Sequence, residues 1–355
     1  MFYVKKVKLN NFRCFLNTEY SFEPNINILI GNNGCGKTSI VEGISYLCLG
    51  KSFRNAKDKD VINFNSSYFN IISEIINGVS ENKVIIGYDG VNKKVNYDNY
   101  VCKTLSEFVG KHKLVSFSPD DIEVIKGSPS KRRRFIDVFI SQCDNRYLKI
   151  LVEYKKILKI RNEYLKKTEN SNFDKVYFDV LTESLIKYGQ FVISIREKYI
   201  KLLNETVKYI SKELSNDKEI VEIEYKPNCG VLDFEKATKR NYNVDKITKI
   251  TNCGPQKDDI SIKIANMEAL LYASQGQSRL AVLGIKLGMY ELFSKMDDNI
   301  IIILDDVFSE LDIERQKYLL EYIKNTGQVF ITATDVYKLP EELIKESNII
   351  EIKEG

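Results

Sequence analysis

Asn27-Ile28-Leu29-Ile30-Gly31-Asn32-Asn33-Gly34-Cys35-Gly36-Lys37-Thr38 joins a short apolar run to a glycine-rich turn and then to a helical pattern. That order reads as strand, phosphate loop, helix. The loop residues Gly31, Asn32, Asn33, Gly34, Cys35 and Gly36 can curl so that backbone N–H groups face inward, while the helix that follows points its positive end at the same place. Lys37 is then placed to reach the β- and γ-phosphates of a nucleotide, and the Thr38 hydroxyl to meet Mg²⁺. Cys35, set among inward N–H groups and close to Lys37, is expected to have an acidified, nucleotide-protected thiol. The bland alternative is a β–α turn with no ligand. Both flanking elements stand where phosphate binding needs them, so a nucleotide site is the working expectation.

Working outward, residues 2–9 alternate apolar and basic and predict a half-buried strand. The pattern from Thr38 to Leu49 gathers its apolar residues largely on one side of a helix, with Gly50 as the stop. Short strands follow at Tyr68 to Ile76, Lys83 to Tyr88 and Lys93 to Tyr97, separated by Asn77-Gly78 and Asp89-Gly90 turns, which predicts an antiparallel β-layer. After a strand at Lys113 to Phe117, Ser128 and Pro129 mark a helix start. Apolar residues then recur at three and four from Pro129 to about Lys167 and from about Asn172 to Leu214. These predict a helical arm interrupted at Thr168–Asn172 and at Gly189, with too few heptads for a long coiled coil. Strands are expected at 219–225, 259–264 and 268–272, with a short helix near 233–240. Residues 1–124 and 251–355 thus read as two parts of one α/β head, and residues 125–250 as an inserted, mainly helical arm domain.

Composition sets bounds. The 355 residues are 43% apolar, enough for a substantial core, and Lys plus Arg exceed Asp plus Glu by 53 to 49. A net charge of +4 permits an acidic partner without announcing one. The seven cysteines include no C-x-x-C pair and there is one histidine, His112, which argues against a zinc site or a disulfide framework. The longest aliphatic run, Ile300 to Leu304, is far too short to span a membrane, and the N-terminus lacks a signal-peptide core. The expected setting is reducing and cytoplasmic, with no membrane contact. His112 is expected to be an ordinary surface or core residue.

The second chemical signal is Asn299 to Asp306, a continuous aliphatic run ending in two carboxylates, the pattern of a strand buried on both faces of a mainly parallel sheet. Asp305 is the expected Mg²⁺ ligand beside Thr38, and Asp306 the group that polarises an attacking water. Ser274-Gln275-Gly276-Gln277 reads as a polar turn whose Ser274 caps a helix running to about Met296. Ser309-Glu310-Leu311-Asp312 follows the carboxylates. A helix at about 312–324, a strand at 328–332, a helix at 338–345 and a strand at 348–353 complete the pattern.

Phosphate loop, Ser-Gln-Gly-Gln, Asp-Asp strand end and Ser-Glu-Leu-Asp, in this order, resemble the ATP-binding-cassette ATPases. Within them the chain is most similar to the RecF family, whose heads are like those of SMC proteins without the long coiled coil. Further matching stretches are Leu9-Asn10-Asn11-Phe12-Arg13, Phe117-Ser118-Pro119-Asp120-Asp121, Lys126 to Asp137 and Gly254 to Asp259. The resemblance implies bound ATP and Mg²⁺, with Arg13 among the nucleotide-binding residues. It also implies an ATP-dependent homodimer in which Ser274, Gly276 and Gln277 complete the γ-phosphate site of the opposite copy. Its implied partners are duplex DNA beside a single-strand gap, RecR and RecO. Thr334 stands where cassette ATPases usually carry a switch histidine, and Asp306 where they carry glutamate, which fits slow hydrolysis used as a switch. At Gln256-Lys257 the family pattern more often has His-Arg.

Lys131-Arg132-Arg133-Arg134 is the densest basic cluster, placed in the first turns of a helix where positive charge opposes the macrodipole. DNA phosphate contact is one expectation for it, a solvated or ion-paired face the other. Two alternative functions share the phosphate chemistry, a membrane-transport ATPase and an SMC-like tether. The long insertion and Thr334 oppose the first, and the lack of a heptad array opposes the second.

Overall fold

The computed structural model describes residues 2–167, 173–296, 299–324 and 326–353. The expected break at Thr168–Asn172 lies outside them. The chain divides into two compact units, Met1–Ile122 with Val282–Gly355, and Glu123–Ala281.

The first unit holds β1 (Phe2–Phe12), β2 (Phe15–Ser21), β3 (Ile26–Ile30), α1 (Lys37–Leu49), β4 (Phe69–Asn77), β5 (Ser80–Tyr88), β6 (Lys93–Tyr97), β7 (Tyr100–Val101) and β8 (Lys113–Phe117). Strands β3 and β8 join three C-terminal strands, β12 (Ile300–Asp305), β13 (Gln328–Ala333) and β14 (Ser347–Glu351), in a parallel sheet of order β14-β3-β13-β12-β8. Every residue of β12 and β13 is buried, as an uninterrupted aliphatic run requires. The ends of β3 and β12 carry the phosphate loop and the paired carboxylates, so one edge of this sheet collects the expected chemistry.

The remaining strands form an antiparallel sheet of order β2-β1-β4-β5-β6-β7. Helix α1 packs against strands of both sheets, which corrects the one-sided amphipathic expectation: Glu42, Gly43 and Ser45 are buried along with its apolar residues. Its end is as read, with Gly50 at φ 60° and its N–H bonded to the Tyr46 carbonyl. The two sheets are tied by Gln328, fully buried, whose Oε1 accepts from Val4 N at 2.7 Å while Nε2 donates to the Val4 and Glu23 carbonyls at 2.9 and 2.8 Å. An amide side chain here stands in for the peptide group that a missing strand would offer. His112 is a core residue, stacked on Phe2 with ring centroids 4.6 Å apart.

The second unit contains α2 (Glu123–Lys126), α3 (Pro129–Cys143), α4 (Asn145–Lys167), α5 (Lys175–Leu214), β9 (Val221–Lys226), α6 (Phe234–Arg240), α7 (Tyr242–Thr248), β10 (Asp259–Ile264), β11 (Met267–Glu268) and α8 (Ala269–Tyr272). Strands β9, β10 and β11 pair antiparallel, so the expected division at residue 250 falls between two strands of one sheet. Helix α9 (Gln275–Ser294) begins in this unit, while its later residues, with α10 (Ile313–Lys324) and α11 (Glu341–Lys345), belong to the first.

Several local expectations are corrected here. The first helical stretch is two helices, because Asp144 ends α3 and its carboxylate accepts from Arg146 N and Tyr147 N to start α4. Gly189 does not interrupt α5: a methyl group there would overlap the Phe234 ring and press on Tyr154, so the glycine serves close packing. Pro129 does open α3 after Ser128, but the Ser128 hydroxyl makes no capping bond. The strand expected at 268–272 is one turn of helix, α8, after the two residues of β11. Cys229 and Cys253, 24 residues apart, form a disulfide that the spacing gave no reason to expect.

Buried charge organises this unit. Arg196 of α5 donates to Asp137 of α3 at 2.8 Å and to Asp258 at 2.9 Å, and Tyr147 and Tyr225 donate to the same two carboxylates. Arg161 of α4, wholly buried, donates to Asp245 at 2.9 Å and Thr251 at 2.7 Å and lies over the Phe178 ring. Burial by itself would push the Asp137 carboxyl up; Arg196 and Lys155, with the Tyr147 hydroxyl, outweigh it and hold the group below the usual range. Gln256, for which no role was expected, is held by the Tyr154 hydroxyl and donates to the Thr251 and Cys253 carbonyls.

Candidate nucleotide site

The turn between β3 and α1 is shaped by contacts that admit no side chain. Gly36 opens α1 at φ 103°, and a Cβ there would come within 2.6 Å of the Phe15 ring and 2.9 Å of the Cys14 sulfur. Lys37 is buried and curls back over the loop, its Nζ donating to the Gly31 and Asn32 carbonyls at 2.7 Å each. Those two bonds hold the ammonium at the mouth of the loop. Cys35, by contrast, is turned inward and only 4% exposed, with Lys37 Nζ 3.9 Å from its sulfur. Its neighbour Cys14 is exposed, but desolvation pushes that thiol up rather than down.

Thr38 and Asp305 meet at the sheet edge: Thr38 Oγ1 donates to Asp305 Oδ1 at 2.8 Å. Thr332 Oγ1 donates to the same oxygen at 2.8 Å and accepts from Asp306 N at 3.0 Å. Asp305 is buried, which raises its carboxyl above the ordinary value, while the Thr332 and Thr38 hydroxyls and nearby Arg54 hold the rise in check. One carboxylate and one hydroxyl in contact could supply two of the six positions of an octahedral Mg²⁺ shell, with phosphate oxygens and water left to supply the rest. Among the described residues no group of three His, Cys, Asp or Glu could hold a metal by itself. Asp306 is exposed and sits at φ 56°, an uncommon conformation for a side-chain-bearing residue, costing about 1–3 kcal/mol. Its carbonyl accepts from Ser309 Oγ at 2.8 Å, linking the paired carboxylates to the Ser309-Glu310-Leu311-Asp312 segment.

Two arginines of the first unit differ in how far they are committed. Arg13, expected at the nucleotide, is committed: Nε and Nη2 grip the buried Glu42 carboxylate at 2.7 Å each and Nη1 donates to the Asp60 carbonyl at 3.0 Å. It pins the β1–β2 turn to α1. Arg54 is exposed, its guanidinium makes no hydrogen bond or ion pair with any described residue, and its charge acts on Asp305. Sequence reasoning passed over it because a lone arginine in Lys51-Ser52-Phe53-Arg54 carries no periodic or motif signal. What places it is local: Ser45 Oγ accepts from Phe53 N, and Ser52 Oγ from Arg54 N.

Ser274, Gly276 and Gln277 lie in the second unit. Ser274 Oγ accepts from Gln277 N at 3.2 Å and Gln277 Oε1 accepts from Ser274 N at 3.0 Å, a reciprocal capping box. Ser274, Gln275 and Gly276 are exposed, so the start of this 20-residue helix presents a serine and bare backbone to its surroundings. Lys126 caps the turn just before it, donating to the Ala269 and Ala273 carbonyls at 2.9 and 2.8 Å.

The basic cluster divides. Arg132 is buried and bidentate to Asp259, both bonds 2.7 Å, with a third to the Gly127 carbonyl, so it is withdrawn from the expected DNA contact. Arg133 donates to the Asp258 carbonyl at 2.6 Å, and Lys131 pairs with Glu123 at 2.8 Å. Arg134 is exposed.

Comparison with known proteins gives a consistent result. Residues 6–351 match the family described as AAA domain. The DNA replication and repair protein RecF of Clostridium perfringens (strain SM101 / Type A) is 34% identical over 361 residues, 99% of each chain. That of Clostridium acetobutylicum is 36% identical, over 99% of this chain and 98% of the other. A solved structure of the recombination mediator protein RecF-ATPrS superposes with a TM-score of 0.90 at 30% identity, covering 100% of this chain and 97% of that one. An Smc head domain from Pyrococcus furiosus, at TM-score 0.54 and 16% identity, shares the fold.

Proposed function

This chain belongs to the RecF family of DNA replication and repair proteins, a recombination mediator family, and from that premise we propose how its own residues carry an ATP-gated DNA-binding cycle. The observation that carries the reading is the contact of Thr38 with Asp305, which sets a hydroxyl and a buried carboxylate side by side at the edge of a phosphate loop, the pair that Mg²⁺ beside a nucleotide needs. Inward amides of Gly31 to Gly36 and the start of α1 receive the phosphates of ATP. Lys37 leaves the Gly31 and Asn32 carbonyls for phosphate oxygens, and exposed Arg54 adds a second positive charge. Thr38 and Asp305 would hold Mg²⁺, which neutralises charge between the terminal phosphates. Asp306 orients the attacking water, and its shorter reach than glutamate keeps turnover slow.

Exposed Ser274 and Gly276 at the start of α9 offer a hydroxyl and backbone N–H groups to the γ-phosphate held by a second copy, so ATP closes a head-to-tail dimer. That dimer engages duplex DNA beside a single-strand gap, with RecR and RecO as partners. Among the described residues no helix is long and apolar enough to cross a membrane. Isothermal titration of Lys37→Ala with MgATP tests the first step: affinity should fall steeply while the thermal transition stays in place. Unchanged ATP affinity in a folded Lys37→Ala protein would remove the basis of the reading.

A further inference from the structure

Just past the end of α1 at Gly50, the chain carries exposed Arg54 on a backbone that two buried serines hold. Ser45 Oγ accepts from Phe53 N at 3.2 Å and Ser52 Oγ from Arg54 N at 3.1 Å, while Asn55 N closes the turn on the Ser52 carbonyl at 3.3 Å. The backbone is fixed and the guanidinium is not.

A serine hydroxyl both donates and accepts, and the place of its proton decides which way it serves a neighbour. Ser45 donates to the Glu42 carbonyl at 2.7 Å, and Ser52 donates to the Glu42 carboxylate. A carboxylate only accepts, so it draws the Ser52 proton and leaves the Ser52 oxygen to the Arg54 N–H. Glu42 is fully buried, and a carboxylate there would be costly without a partner. Arg13 meets that need from the β1–β2 turn, gripping both oxygens at 2.7 Å, and Oε1 is shared between Arg13 Nη2 and Ser52 Oγ. One relay thus runs from Arg13 through Glu42 and Ser52 to the Arg54 amide. Pinning the β1–β2 turn to α1 takes only the Arg13–Glu42 pair. The Ser52 branch adds nothing to that, and it ends on a residue whose charge acts on Asp305.

We propose that Glu42 and Ser52 are positioning residues for Arg54, fixing its backbone so that the guanidinium is presented to the phosphates of the nucleotide held at Lys37 and Thr38. The inference rests on the reading of the β3–α1 loop as an ATP site with Arg54 as its second cation. A backbone ordered in advance lowers the entropy that the side chain loses when it engages the ligand. Arg13 serves the same end through Glu42.

Titration calorimetry of the full chain with MgATP tests this in a double-mutant cycle of Ser52→Ala and Arg54→Ala. Arg54→Ala should weaken binding about tenfold, the loss of one charged hydrogen-bonding group. Ser52→Ala leaves the Arg13–Glu42 pair intact, so it should keep the thermal transition in place and weaken binding about threefold. In the Arg54→Ala background Ser52→Ala should weaken it no further, because no guanidinium remains to be aimed, whereas a merely structural Ser52 loses the same in both backgrounds. Hydrogen exchange supplies a second readout. Glu42→Gln should speed exchange at the Arg54 amide, which it does not touch, and leave the Phe53 amide at its wild-type rate. If Glu42→Gln does not fold, the Ser52→Ala cycle decides alone. Equal losses from Ser52→Ala in the two backgrounds would overturn the proposal, as would a Ser52→Ala protein with wild-type affinity. A wild-type protein that binds no ATP, or an Arg54→Ala protein that binds it normally, would strike first at the reading beneath and remove the positioning role with it.

Discussion

Thr38 Oγ1 and Asp305 Oδ1 lie 2.8 Å apart although 267 residues separate them in the chain. The contact is possible because β3 and β12 sit on either side of β13 in one parallel sheet and end at the same edge. Asp305→Asn keeps the Thr38 bond but removes the anion, so it should preserve folding and weaken Mg²⁺-dependent ATP binding more than Mg²⁺-free binding. Nucleotide titrations with and without magnesium check this; equal losses in both would show that Asp305 does not serve the metal.

Asp306 is exposed and conformationally strained, and its substitution should separate binding from turnover. Asp306→Asn should bind ATP normally and hydrolyse it at least about a hundredfold more slowly, the lower end of the range for a positioned acid–base group. A phosphate-release assay beside a binding titration reads both quantities.

The shared-site reading makes Lys37 and Ser274 act in different copies. Mixing Lys37→Ala with Ser274→Arg puts both lesions in one site of each heterodimer and leaves the other intact. Random pairing makes about half the dimers mixed, so about a quarter of sites should work. Hydrolysis in the mixture should exceed that of either variant alone, and sedimentation with ATP should show restored dimer. Strictly additive activity would mean that each site is complete within one chain.

The basic cluster should behave as the structure divides it. Arg132→Gln breaks the pair of buried Arg132 with partly exposed Asp259 and should destabilise the fold by about 1–3 kcal/mol, read from denaturant unfolding. Exposed Arg134→Gln should leave stability unchanged, and it can report a DNA contact through the salt slope. This pairing was hidden from the sequence because Arg132 and Asp259 are 127 residues apart, whereas the arginine run itself is conspicuous.

Acid should loosen the second unit through Asp137. Its folded carboxyl lies below the ordinary value, so the stability it contributes is present above pH about 4 and is lost as pH falls through the folded value. In Arg196→Met that acid dependence should shrink, because the larger of the two charges holding Asp137 down is gone. Unfolding free energies between pH 5 and 3 for both proteins measure the difference.

What the sequence made legible was local or periodic. The strand, loop and helix around Lys37 follow from adjacent residues, and the buried run Ile300 to Asp305 declares both its strand and its two covered faces. What stayed hidden depends on residues distant in the chain. Gly189 reads as a helix breaker until Phe234 is brought against it, and Cys229 with Cys253 carries no recognisable spacing. β2 passed unnoticed because only Phe15 in it is buried, which leaves no alternation to detect. Arg13 matched a motif yet is held by Glu42, while Arg54, with no motif, has no ion-pair partner among the described residues and acts on Asp305.

The most direct test of the account is the binding isotherm of a duplex carrying a single-strand gap, measured for wild type and Lys37→Ala with and without MgATP. The account predicts that ATP tightens wild-type binding by about tenfold or more, equivalent to about 1.4 kcal/mol, and leaves Lys37→Ala unaffected. Superimposable wild-type isotherms with and without ATP would contradict it.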